Sequence, residues 1–133
     1  MRPVPEDPGD TKRGGLDSGR SIALQWFGLL APPVAWLLNL EFGYSLAHAA
    51  CHGSGMMPLH LASIAALVLA GLGGAAALAT WTRSGSTWPD DLAGAEQRSR
   101  MLAALGLGGA AFFLVTIVVQ WIPSFVLNPC WRT

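Results

Sequence analysis

Three groups of residues in this chain have types and spacings that could do chemistry. The segment from His48 to His60 reads HAACHGSGMMPLH and packs three histidines, one cysteine and two methionines into 13 positions. Thiolate, thioether and imidazole are the ligands that soft Cu(I) prefers, so Cys51, His52, Met56, Met57 and His60 form a candidate copper set. The set lacks a CxxC, a Met-x-x-Met repeat and a His-x-His pair, and AACH lacks the first cysteine of a covalent haem attachment. The second group is a stripe of polar residues. At 100° per residue, Tyr44, Ser45, His48 and His52 fall within about 60° of Glu41 on one helical face, while Asn39 points the other way. Gln120, at a similar depth in a later segment, is a further candidate for the stripe. Such a stripe could relay protons, hold a ligand, or dock the helix against another protein. The third group is Cys51 with Cys130, the two cysteines of the chain.

The elements that must position these groups are long and apolar. The chain has 133 residues, 52% hydrophobic and 12% charged, about half the charge of an ordinary soluble domain. Of eight acidic and eight basic residues, eight lie in residues 1–20 and six in residues 83–100, leaving Glu41 and Arg132 as the exceptions. This pattern excludes a soluble globular enzyme, a nucleic-acid binder with a basic face, and a disordered chain. It predicts an all-α integral membrane protein with three transmembrane helices, at about residues 21–48, 58–81 and 101–127. Each stretch reaches the roughly 20 apolar residues that a crossing needs. Residues 1–20 are too long and too acidic for a signal-peptide n-region and read as a disordered leader, leaving 21–133 as a single transmembrane domain. Residues 82–100 read as a solvated connection with a short helix start at Asp91.

Orientation follows from Lys and Arg near the spans. Arg2, Lys12, Arg13 and Arg20 in the leader and Arg83, Arg98 and Arg100 in the connection oppose Arg132 alone in the tail. The N-terminus is therefore expected in the cytoplasm and the C-terminus in the periplasm, for a multi-pass protein of a bacterial inner membrane. Trp26 and Trp81 fall near the inner boundary, Trp121 and Trp131 near the outer one. Three crossings deliver Cys51 and Cys130 to the same oxidising side, where a disulfide is their simplest use. Closing a loop of nearly 80 residues is worth a few kcal/mol in the chain-entropy model, less within a bilayer.

Lipid gives no hydrophobic drive between helices, so small residues must let the backbones approach. Ala66, Ala70 and Gly74, with Gly71 and Ala75 beside them, and Ala104 with Gly108 or Gly106 with Ala110 predict a tight hairpin of the second and third spans. Pro32 and Pro33 remove backbone donors inside the first span and predict a kink there. With Gly53, Ser54 and Gly55 as its stop, that span could run from Ser21 to His52, about 48 Å, and must tilt, bend or project.

These residues resemble a family. APPVAW in the first span, then a Tyr and a Cys, PLH opening the second span, and Gln-x-x-Pro with a closing Pro-Cys are similar to small three-span proteins encoded among bacterial haem–copper cytochrome c oxidase genes. The matching positions are Pro32, Pro33, Trp36, Tyr44, Cys51, His60, Trp81, Gln120, Pro123 and Cys130, scattered from about Gln25 to Trp131. The resemblance carries no catalytic signature and implies association with a terminal oxidase of a respiratory chain, not a reaction. The expected function is a non-catalytic accessory subunit or assembly partner, touching the lipid bilayer and other membrane subunits, with no resident cofactor. Copper handling during oxidase maturation is the alternative, and a homo-oligomeric pore lined by Glu41, Tyr44 and His48 a further one. A thiol–disulfide enzyme fits less well without a CxxC, and a transporter less well without an internal repeat.

Overall fold

A computed structural model describes residues 8–85, 94–127 and 130, with side chains from Ser18 onward apart from Ser54, Ala95 and Glu96. Helix α1 runs Pro8–Ala49 and passes into a single π-turn, Ala50–Ser54. Helix α2 spans Met57–Arg83, α3 spans Ala95–Trp121, and a short α4 covers Pro123–Val126. Three segments are long and apolar enough to cross a membrane: Ser18–Gly53, Met57–Arg83 and Gln97–Val126, with mean hydropathies of 1.5, 2.1 and 2.4. These helices lie where the three spans are expected.

The helix boundaries follow local chemistry. Gly53 and Gly55, at φ +117° and +71°, adopt left-handed backbone that only glycine takes without strain, and together they turn the chain from α1 into α2. Pro58 sits in the first turn of α2, where a missing N–H is harmless, and the Met56 carbonyl accepts from the amides of Leu59 and His60 at 3.2 and 3.3 Å. Gly85, at φ +93°, closes the other end of α2. Pro123 likewise opens α4 directly after Ile122.

Two expected loops are partly helical. The backbone of residues 8–20, read from composition as a disordered leader, continues α1. Extending an existing helix requires no new nucleus, so glycines that would not start a helix can still be carried by one. α3 begins at Ala95, six residues before Met101, and α2 persists to Arg83, which shortens the connection. Asp91 lies outside the described residues.

The interior is built of small side chains. Buried apolar residues are Ala31, Ala35, Ala66, Ala70, Ala76, Ala77, Ala103, Ala110 and Ile117, while bulky residues such as Phe27, Leu30, Leu72, Phe112 and Val115 face outward. On α2 the buried positions include Ser63, Ala66, Ala70, Gly73, Ala77 and Thr80, an alternating three- and four-residue spacing that gives one straight seam. The expected Ala66 and Ala70 lie on this seam and Gly74 adjoins it against Ala110, whereas Ala75 is exposed and a Cβ on Gly71 would meet nothing within 4 Å. The expected α2–α3 hairpin is present, a Cβ on Gly74 falling 3.1 Å from the Ala110 Cβ, and α1 packs on α2 still more extensively. On α3 the Gly106/Ala110 face is the one used, and Gly108 faces open space.

Closest approach occurs where all three helices meet. A Cβ on Gly28 would lie 2.9 Å from the Ala77 backbone nitrogen, and one on Gly106 would lie 3.0 Å from the Ala77 Cβ and 3.2 Å from the Gly28 carbonyl oxygen. One turn along, Gly73 leaves room for Pro32 and Ala31. Pro32 is fully buried and α1 is helical through Pro32 and Pro33, so the pair does not interrupt the helix and Pro32 acts as a packing element.

Candidate functional site

The chemistry-bearing residues gather at the end of the bundle where α1 turns into α2. Cys51, in the π-turn, is bonded to Cys130, beyond α4, with the two Cα atoms 5.4 Å apart across a sequence separation of 79. The bond ties the chain after α4 to the turn between α1 and α2.

His60 lies one turn into α2 and faces the end of α3. The Trp121 indole Nε1 donates to His60 Nδ1 at 2.9 Å. An indole nitrogen can only donate, so His60 Nδ1 is the acceptor in this bond. Phe125 of α4 completes the group, its ring centre 5.0 Å from that of His60 and 5.2 Å from that of Trp121. His60 therefore belongs to an aromatic clamp joining α2 to α3 and α4. His48 and His52 form a separate exposed pair, with ring centres 4.8 Å apart and His52 Nδ1 3.0 Å from the His48 carbonyl oxygen, to which it donates.

The Cys51 sulfur is in the disulfide, the Nδ1 atoms of His52 and His60 are engaged, and Met57 is exposed on the surface. Among the described residues no three of His, Cys, Asp and Glu converge to hold a metal ion.

Glu41, Tyr44, Ser45 and His48 lie on one exposed face of α1, as the helical spacing predicts, and Tyr44 is 76% exposed. Gln120 does not join them. Its Oε1 accepts from the Asn39 amide nitrogen at 3.3 Å, on the inward side of α1. The reason is angular: residues two apart on a helix project about 200° from each other, so Asn39 faces the bundle when Glu41 faces out. Asn39, only 8% exposed, lies opposite Glu41 as the helical spacing predicts, although the sequence assigns it no role. It continues the buried Gly28–Ala35 side of α1, which was the available signal. Ser63, 6% exposed on the α2 seam, is likewise given no role by the sequence.

These inward polar residues border a cavity of about 430 Å³. Asn39 of α1, Ser63 of α2 and Gln120 of α3 each contribute to its wall, with Tyr44 and Ser124 also lining it and Leu40, Leu59, Ala62 and Leu127 supplying apolar surface. At the opposite end of the bundle, Gln25 donates to Ser99 at 2.9 Å and the Arg100 guanidinium donates to the Ser84 carbonyl, linking α3 to α1 and to the end of α2.

Compared with family models, curated proteins and solved structures, the chain matches none.

Proposed function

We propose that this chain is a non-catalytic accessory subunit or assembly partner of a larger complex in a bacterial inner membrane, with its N-terminus in the cytoplasm and the disulfide in the periplasm. One observation carries the reading: Glu41, Tyr44, Ser45 and His48 all lie exposed on the outside of a membrane-spanning helix. An ionisable side chain facing hydrocarbon is costly, and polar residues within spans ordinarily face protein or a water-filled cavity. A second protein covering this face would meet that requirement. The bundle itself is closed with alanine and glycine, which suits a scaffold. The excess of Lys and Arg in the leader and connection supports the orientation. The resemblance to proteins encoded among oxidase genes favours a terminal cytochrome c oxidase as the complex.

Gentle detergent extraction followed by mass spectrometry of the co-eluting proteins tests the proposal. Oxidase subunits that accompany the wild-type chain and are lost from a Glu41→Leu/Tyr44→Leu variant are the expected result. Elution of the wild-type chain as a lone monomer would overturn it, and a ring of four or more copies would favour a pore instead.

A further inference from the structure

We infer that the cavity between α1, α2 and the α3–α4 end is a binding site for an uncharged, membrane-dissolved molecule that carries a carbonyl oxygen on an apolar body. This inference does not rest on the docking role, although Tyr44 borders both surfaces. At about 430 Å³ the cavity lies within the range of small-molecule sites, which are mostly apolar with a few placed polar groups. That is the composition found here. Leu40, Leu59, Ala62 and Leu127 form much of the wall, and one polar residue enters from each of the three main helices.

Those polar residues have unused capacity. Asn39 and Gln120 share one hydrogen bond, which leaves the Asn39 carboxamide oxygen and the Gln120 amide hydrogens over. The Ser63 hydroxyl makes no hydrogen bond among the described residues. Asn39 and Ser63 are each more than nine-tenths buried. The Ser63 hydroxyl and the Gln120 amide hydrogens are donors beside open space, and an occupant bearing an acceptor would pair with them. The chemistry of the occupant follows from the lining. Among the described residues no Asp, Glu, Lys, Arg or His borders the cavity, so a phosphate or ammonium head would find no counter-charge there. Hydroxyl and amide donors at Ser63, Gln120, Tyr44 and Ser124 favour an acceptor, and a carbonyl oxygen is the neutral acceptor that membrane-soluble molecules offer. A quinone ring and the ester head of a neutral glyceride share this chemistry.

The test uses the full, disulfide-bonded chain in phosphatidylcholine nanodiscs, titrated with an alkyl benzoquinone and with a monoacylglycerol of matched chain length. A phosphatidic acid of the same length serves as the charged control. Saturable, stoichiometric binding of either neutral probe is expected, and which one binds identifies the source of the ligand. Ser63→Ala and Gln120→Leu should each weaken binding about five- to tenfold. Gly43→Leu should abolish it: Gly43 lines the cavity and a Cβ there would meet nothing within 4 Å, so a larger side chain fills the space without a clash at its root. Retention of the disulfide and of wild-type helicity shows that each variant is folded. Absence of saturable binding by both neutral probes, equal binding of the charged control, or unchanged affinity in folded Gly43→Leu would each overturn the inference.

Discussion

The two halves of the bundle are held together by different means. Around Gly28, Ala77 and Gly106 the helices touch backbone to backbone, and nothing larger than alanine stands between them. Around Cys51 the helices stand far enough apart to leave an open cavity between them, and the links are a covalent bond, an indole–imidazole hydrogen bond and a carboxamide pair. In a bilayer, association depends on packing and on polar contacts, since lipid is as apolar as leucine. Discrete ties leave more room: the cavity at the disulfide end is about 430 Å³, against about 260 Å³ for the pocket lined by Gln25, Thr80 and Ser99 at the other end.

Changes at the close-packed end should have the largest effect. Gly28→Leu forces a side chain into the Ala77 backbone, which cannot give way as a flexible side chain would, and should destabilise the bundle by about 3 kcal/mol. Reversible unfolding in mixed micelles, followed by circular dichroism, measures it. A cost below that of the cysteine variant would break the comparison. Replacing Cys51 and Cys130 by serine should cost roughly 2 kcal/mol, because the bond closes a long loop in the unfolded chain. The same variant should loosen the Pro123–Leu127 wall of the cavity, read as faster hydrogen exchange of the Leu127 amide on Pro123. Trp121→Phe keeps a ring beside His60 and Phe125 but removes the hydrogen bond to Nδ1, for a loss of about 1 kcal/mol. Gly108→Ala sharpens the contrast from the other side. Its Cβ would enter open space, so stability should stay within about 0.5 kcal/mol of wild type.

Much of this architecture was legible in the residues. Stretches such as LASIAALVLAGLGGAAALAT have no polar face and no alternative to a span, and two cysteines separated by an even number of crossings must emerge on one side. The choice of packing face was less legible. α2 carries small residues all round its circumference, so the sequence groups Gly71 and Ala75 with Ala66, Ala70 and Gly74 and does not single out Gly73 and Ala77. What separates them is the bulk on the partner: Pro32 needs the gap at Gly73, and only the assembled helices show that. The candidate site was half legible. Glu41 and Tyr44 fall where helical spacing puts them. Gln120, by contrast, was assigned to the charged stripe because the sequence does not state the rotation of one helix against another. Asn39 and Ser63 were assigned no role because an uncharged polar residue in a span attracts less notice than a carboxylate.

The linkage between Cys51 and Cys130 also makes α2 and α3 parts of one covalent ring, with α1 attached outside it. A protease that severs the chain between Arg83 and Gly94 opens that ring without releasing a fragment. The nicked polypeptide stays a single species on a non-reducing gel and separates into two bands only when a thiol reductant is added.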